Sequence, residues 1–341
     1  MDSKYNIIIR CDIGQNAGMG HYVRCNLIKK AFERRGVSTS FVVRLQGHVP
    51  DRVSLCHDQT ITCNFSEELE EYQDENMVFV LDLLNKENSS HKDLALYIRE
   101  LSSKTKSKLF LIEGLGSDSC PEYLYPYIDG LFTPYLQFQE AKTKNHVGGL
   151  EYVLIDIDKI LQEKQIIPKA KHVLITFGGS DIWKQNQQLL SHLSNESIEC
   201  SYKVVVGPLV GSKDKQLLES YCQYLDLDIV HNPSHIKDLF DWADIVITNT
   251  GQTRYELAAS GIPFIIIPFD ESGYDNSLIF RDLGIAYLLS PNSIGDDFRT
   301  EFKNLLEDQE ARFKMSEKGR EFCFNLKGAD NIVSKIFEVI N

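Results

Sequence analysis

The chain has 341 residues, of which 43% are apolar and 25% charged, and its 36 basic and 49 acidic residues leave a net charge of −13. The length suits about two domains of ~100–200 residues, and the balance of apolar and charged residues excludes a disordered or fibrous chain. An acidic surface repels nucleic acid, so no nucleic-acid partner is expected, and any anionic ligand must be held by a local feature.

Short aliphatic runs alternate with helical periodicity from end to end. In the first half, strands are predicted at Asn6–Arg10, Thr39–Val43, Met77–Asp82, Lys108–Ile112 and Gly130–Phe132, with helices at His21–Arg35 and His91–Ser103. A polar stretch, Lys142–Gly149, precedes a seam between Tyr152 and Lys171. A fresh strand at His172–Thr176 then leads into helix Trp183–Leu193, strand Tyr202–Val206, helix Lys213–Leu225 and strand Asp228–Val230. Helix Ile236–Trp242, strand Ile245–Thr248, helix Thr253–Ser260 and strand Phe264–Ile267 follow. Helices at Asp275–Leu283, Thr300–Leu306, Glu310–Lys327 and Asp330–Ile340 complete the pattern.

Strands that are apolar throughout and separated by helices predict parallel sheets covered on both faces. The expected fold class is α/β: two doubly wound Rossmann-like domains facing across a cleft, residues 1–155 and 170–341, with the last helix free to pack back on the first. In such sheets ligands bind outside the carboxyl ends of the strands.

Three isoleucines in a row near the amino terminus fall short of the ~7–15 apolar residues of a secretory signal. The greasiest stretch, Gly261–Phe269, is half the ~18 residues a membrane helix needs and reads as one buried strand. No stable membrane insertion is expected. The eight cysteines are scattered without a CxxC pair and are expected as free thiols in a reducing, cytoplasmic setting.

Three loops follow strands and open helices. The first runs from Asp12 through Gly18 and Gly20 to His21 and Arg24. Its glycines let backbone approach a ligand, and the helix behind it offers free N–H groups. A dinucleotide fingerprint would need a third glycine where Val23 stands, so nicotinamide chemistry is disfavoured. A histidine at a positive helix end is kept neutral, as a general base must be, although the same position suits a histidine that merely caps its helix.

The second loop, Gly178-Gly179-Ser180-Asp181, is a phosphate cradle or an ordinary capped turn. The third, Thr248-Asn249-Thr250-Gly251-Gln252-Thr253, can hold a second anion. Glu256 lies one turn into the following helix, where its carboxylate can accept from two ribose hydroxyls or simply favour the positive end of its helix. Together the loops suit a nucleoside diphosphate gripped by helix N-termini, without a metal or a basic surface. Asp156/Asp158 and Asp226/Asp228 imitate a D-x-D metal site but are ordinary in so acidic a chain. Pro233 keeps His231 and His235 off a common helix face. Trp183 and Trp242 read as packing residues.

The run Arg10-Cys-Asp12 with Gly18-Met-Gly20-His21-Tyr-Val-Arg24 resembles the nucleotide-sugar hydrolases of pseudaminic-acid biosynthesis, grouped with SpsG-type spore-coat proteins. Phe177–Asp181 and Thr253–Pro263 resemble them too, and are also similar to MurG-like glycosyltransferases of the GT-B fold. The resemblance implies a nucleotide-sugar substrate, no cofactor and no metal. It makes His21 the base that activates water at the anomeric carbon and Glu256 the ribose acid. It sets Gly178, Gly179, Ser180, Gly251, Gln252 and Thr253 around the diphosphate, and Arg10, Asp12, Gly18, Gly20, Arg24, Asp181 and Asn276 along the substrate.

Three segments depart from that pattern, one of them Tyr152-Val-Leu-Ile-Asp156, where relatives often have Leu-Arg after a Tyr-Ala. Val80-Leu-Asp82-Leu-Leu-Asn85 lacks the His and Tyr these hydrolases carry after their third strand, and Asp275-Asn276 stands for a usual Asn-Gln pair. The expected activity is hydrolysis of a nucleotide-diphosphate sugar, with a UDP-linked amino or deoxy sugar favoured. An inverting glycosyltransferase and a non-catalytic sugar-nucleotide-binding protein are the alternatives.

Overall fold

The computed structural model describes residues 5–14, 17–46, 58–61, 68–69, 72, 77–83, 91–104, 107–113, 120–136, 138, 140–179, 181, 184–196, 198–291 and 294–341. The chain divides into two compact units, Met1–Ile155 with Leu326–Asn341, and Asp156–Asn325.

The first unit contains β1 (Asn6–Gly14), α1 (Gly20–Arg34), β2 (Thr39–Gln46), β3 (Gln59–Ile61), β4 (Met77–Asp82), α2 (His91–Lys104), β5 (Lys108–Ile112), β6 (Gly130–Thr133) and β7 (His146–Gly148). All pair in parallel, in the order β3-β2-β1-β4-β5-β6-β7. Side chains alternate across a strand. Accordingly Ile7 and Ile9 enter one core with Ile28 and Phe32 of α1, while Ile8 enters the other with Phe79, Leu109 and Tyr97. Burial on both faces is why these strands read as unbroken apolar runs.

The second unit contains β8 (His172–Thr176), α3 (Gln185–Leu193), β9 (Ser201–Val206), α4 (Ser212–Ser220), β10 (Leu227–His231), α5 (Ile236–Trp242), β11 (Ile245–Thr248), α6 (Thr253–Ser260) and β12 (Phe264–Ile266). It continues through α7 (Glu271–Asp275), α8 (Leu278–Asp282), β13 (Tyr287–Leu288), α9 (Asp296–Glu307) and α10 (Gln309–Phe322). Its parallel sheet has the order β10-β9-β8-β11-β12-β13. The direction of winding reverses between β1 and β4 in one sheet and between β8 and β11 in the other. Ligands of doubly wound sheets bind at such reversals.

Helix α11 (Gly328–Ile340) packs in the first unit. Ile332, Val333, Ile336 and Ile340 recur at helical spacing on its buried face. Each contributes roughly 1.5–3 kcal/mol by leaving water. Phe337 meets Phe32 of α1 edge-on at 5.8 Å, and the Tyr5 hydroxyl donates to the Ile340 carbonyl at 2.8 Å. The helix begins so close to the 152–153 backbone that a Cβ on Gly328 would stand 2.1 Å from the Val153 carbonyl oxygen. Only glycine fits.

The structure differs from expectation in several elements. Strands β3, β7 and β13 are too short for any periodicity to show. The helix expected at Asp275–Leu283 is two, α7 and α8. The Ser277 hydroxyl donates back to the Gly273 carbonyl and Arg254 takes the Asn276 carbonyl, breaking the helical ladder between them. Helix α10 ends at Phe322 rather than Lys327, because Asn325 turns left-handed at φ 59°. The helix expected over Lys213–Leu225 gives way after Ser220 to a single 3₁₀ turn.

Candidate functional site

Gly14 and Gly18 pair with each other between β1 and α1, the Gly18 N–H donating to the Gly14 carbonyl at 2.7 Å. Gly18 holds φ 71°, a left-handed conformation that favours glycine. Helix α1 then starts at Gly20 with neither a side-chain cap nor an acid in its first turn, so its N-terminus keeps its positive character.

His21 stands there, at the reversal between β1 and β4. Its Nδ1 lies 2.6 Å from Oδ1 of Asp82, the last residue of β4. A carboxylate only accepts, so Nδ1 carries a proton in this contact, and in a neutral ring the lone pair is then on Nε2. The imidazole keeps 12% exposure while the carboxylate has none. The buried acid fixes the orientation of the imidazole, the arrangement a general base needs.

Arg24, one turn further along α1, completes the arrangement. Its Nε donates to Asp82 Oδ2 at 2.7 Å, Nη2 to Oδ1 at 2.9 Å, and Nη1 to the Tyr135 hydroxyl at 2.8 Å. Burial alone would raise the Asp82 carboxyl, but Arg24 and His21 outweigh it and hold it below the usual carboxylate range. Burial likewise disfavours the Arg24 charge, and Asp82 more than restores it. The carboxylate is therefore locked ionised.

Arg10 and Asp12 do not meet the expectation of substrate contact. Both are fully buried. Arg10 donates to Asp12 at 2.5 Å and to both oxygens of Glu68 at 2.9 Å, and Arg44 donates to Asp12 at 3.0 Å. Tyr97 adds a bond to Glu68 at 2.9 Å. The parallel register sets Asp12 beside Arg44, so charges balance within the sheet. The pair braces the strand that carries the loop.

In the second unit, Gly178 takes φ 83°, and a Cβ built on it meets nothing within 4 Å. The turn demands glycine and leaves open space over it. Ser180 and Trp183 lie outside the described residues. Asp181 turns its carboxylate back onto α3, accepting from the Gln185 N–H at 2.8 Å and the Asn186 N–H at 3.1 Å. Of the two readings of this loop, the capped turn holds for α3: its own acid takes the N–H groups that a phosphate would need. Burial pushes the Asp181 carboxyl up to about 6 against the pull of those two N–H groups.

Helix α6 differs. No side chain caps it, and the Gly251 N–H is taken by Asn249 Oδ1 at 3.0 Å, which shapes the turn. The Glu256 carboxylate is 7% exposed and receives the Lys159 ammonium at 3.3 Å. Thr253 is partly exposed at the mouth of the helix. Asn276 gives its carbonyl to Arg254 at 3.0 Å.

The structure thus brings His21 and Arg24 together, and separately Gly251, Gln252, Thr253 and Glu256 along one loop and helix. Sequence reasoning missed three partners. Asp82 was visible as an acid ending an otherwise apolar strand, whereas Tyr135 and Arg254 carried no local signal.

Among the described residues no group of three or more His, Cys, Asp or Glu side chains is arranged to hold a metal ion. Asp156 caps its own short turn through the Asp158 N–H, and Asp226 accepts from the Ser201 hydroxyl at 2.5 Å. Trp242 packs between His172 and Lys203. No helix among the described residues is long and apolar enough to cross a membrane.

Residues 172–333 match the glycosyltransferase family 28 C-terminal domain. Over 304 residues, 87% of this chain, the sequence is 24% identical to the Helicobacter pylori protein named pseudaminic acid cytidylyltransferase and UDP-2,4-diacetamido-2,4,6-trideoxy-beta-L-altropyranose hydrolase. The chain spans 51% of that protein's length and 28% and 37% of two other curated relatives. Its fold is similar to that of Anabaena HepE, solved in complex with UDP-glucose, with a TM-score of 0.65, 12% identity, and 98% of this chain and 99% of the other covered. It is also similar to Acinetobacter baumannii MurG, with a TM-score of 0.58, 11% identity and 98% and 99% covered. Two parallel-sheet α/β domains with these neighbours give the protein a GT-B, glycosyltransferase-like fold.

Proposed function

We propose that the protein hydrolyses a nucleotide-diphosphate sugar at the anomeric carbon and releases the nucleoside diphosphate. The carrying observation is the 2.6 Å contact between His21 Nδ1 and the buried Asp82 carboxylate, which in a neutral ring puts the lone pair on Nε2, beside an uncapped helix N-terminus. In this reading Nε2 takes a proton from water as the water oxygen bonds to C1. The bond from C1 to the diphosphate oxygen breaks on the opposite face, so the configuration inverts, and the electron pair leaves with the diphosphate. Arg24 keeps Asp82 ionised and so stabilises the imidazolium that forms.

The second unit holds the nucleotide, with Glu256 on the ribose hydroxyls and Gly251, Gln252 and Thr253 along the diphosphate. The uncapped start of α6 supports that assignment. The H. pylori relative's name, which includes a UDP-sugar hydrolase, supports water as the acceptor, and pseudaminic-acid or surface-polysaccharide synthesis is the setting we propose.

A second reading, an inverting glycosyltransferase in which His21 deprotonates an acceptor hydroxyl, is favoured by the match of residues 172–333 to a glycosyltransferase domain. Incubation with a UDP-linked amino or deoxy sugar in ¹⁸O-water separates the two. Hydrolysis predicts UDP release without an acceptor and label on the sugar C1 hydroxyl. No release until a sugar or lipid acceptor is added refutes it in favour of transfer.

A further inference from the structure

Ten buried side-chain nitrogen and oxygen atoms among the described residues have no hydrogen-bond partner, and five of them belong to Thr250, Gln252 and Arg254. These are Thr250 Oγ1, both amide atoms of Gln252, and Nε and Nη2 of Arg254. Buried polar groups are nearly always satisfied, and a charged one left bare is the most costly kind. Such a concentration within five consecutive residues marks the loop as built for a partner.

Arg254 is the strongest member. Its side chain is fully buried, and its guanidinium lies 5.1 Å from the Tyr255 ring and 5.0 Å from the Phe280 ring. Nη1 alone is engaged, with the Asn276 carbonyl at 3.0 Å and the Ser277 hydroxyl at 2.5 Å. These are neutral acceptors, and no carboxylate pairs with the guanidinium among the described residues. Buried guanidinium groups ordinarily meet a carboxylate or a phosphate, whose paired oxygens match the planar fork. Here Nε–H and the neighbouring Nη2–H form one open edge of that fork.

We infer that Arg254 is the residue that recognises the terminal phosphate of the bound nucleoside diphosphate, the phosphate that departs from the sugar. This rests on the proposed nucleotide reading and deepens it. Arg254 and Glu256 are two positions apart in α6, so their side chains leave the helix about 200° apart. Glu256 turns toward Lys159, and Arg254 toward Asn276 and Ser277. With the ribose on Glu256 and the diphosphate across the start of α6, the phosphate on the Arg254 side is the one farther from the ribose. An oxyanion there supplies acceptors to Nε and Nη2 and gives the Gln252 amide and Thr250 hydroxyl a polar neighbour. It also neutralises the charge that burial leaves uncompensated.

Calorimetric titration of the full chain with UDP, UMP and inorganic pyrophosphate tests this. The wild type is expected to bind UDP about 10–100-fold tighter than UMP, the range of charge-assisted bonds to one further phosphate. Arg254→Gln should remove most of that ratio by weakening UDP, leave UMP affinity unchanged, and abolish binding of pyrophosphate. An unchanged UDP/UMP ratio, or equal weakening of both nucleotides, overturns the assignment.

A measurement on the wild type guards against a variant that fails to fold. The Arg254 Nε–H resonance, assigned by its loss in Arg254→Lys, should move with UDP and pyrophosphate but not with UMP; a resonance indifferent to all three overturns the inference. If pyrophosphate moves it and neither nucleotide binds, the nucleotide reading fails while the Arg254 anion site stands.

Discussion

Replacing Asp82 by Asn probes the candidate base most directly, because it alters charge and donor pattern with little change in shape. The wild-type carboxylate accepts three contacts, from His21 at 2.6 Å and from Arg24 at 2.7 and 2.9 Å. An amide offers one acceptor and one donor in their place. If its NH₂ faces Arg24, two donors collide; if it faces His21, Nδ1 must accept and Nε2 must carry the proton. The second arrangement is cheaper and removes the base. Turnover should then fall by about 10⁴, as when a catalytic histidine is held in the wrong tautomer.

Stability suffers as well. Arg24 is 6% exposed and, beside the Tyr135 hydroxyl, would keep a neutral amide oxygen where it had an ionised carboxylate. Stripping one member from a buried ion pair costs about 3–5 kcal/mol. At ~2–4 °C per kcal/mol, the midpoint of thermal unfolding should drop on the order of 10 °C. Nitrogen-15 NMR of His21 reads the tautomer, urea unfolding reads the stability, and a UDP-sugar assay reads the rate. An Asp82→Asn protein with wild-type turnover, or with His21 still protonated at Nδ1, refutes the reasoning.

Three further outcomes follow from the same geometry. His21→Ala should lower turnover by roughly 10²–10⁴ while leaving UDP affinity nearly unchanged in calorimetry; an unchanged rate removes His21 from the chemistry. Glu256→Ala should weaken UDP at least several-fold, whereas wild-type affinity in the same titration would leave Lys159 as that carboxylate's whole purpose. The Asp181 carboxyl, held at about 6 in the folded protein against 3.8 ordinarily, keeps a proton that the unfolded chain has released between those values. Its contribution therefore weakens as pH rises through that window. The stability of the wild type relative to Asp181→Asn should fall by about 2 kcal/mol between pH 4.5 and 7. A difference flat with pH, measured by urea unfolding, contradicts it.

The sheets were legible because burial on both faces leaves long β-branched runs, and Met77–Asp82, Lys108–Ile112, His172–Thr176 and Ile245–Thr248 match expectation residue for residue. His21 was legible from its glycine-flanked position. Its acid was not, for Asp82 lies 61 positions away and becomes a neighbour only because β4 pairs with β1 across the reversal of winding. Tyr135, 111 positions from Arg24, is remoter still.

Arg10 and Asp12 misled for the opposite reason. They belong to a motif, yet opposite charges two apart in a buried strand lie on the same face and satisfy each other. Arg254 was hidden because an arginine near a helix start looks like any solvated surface residue; only its complete burial sets it apart.

The return of α11 to the first unit has a consequence for biosynthesis. The aliphatic face that Ile332, Val333 and Ile336 cover on α1 and its sheet stays wet until the ribosome has also made residues 156–325. At ~5–20 residues per second that interval lasts on the order of 10–30 s. During it the nascent amino-terminal half is an unfinished fold with an uncovered aliphatic flank. The second unit, continuous in sequence, has no such wait.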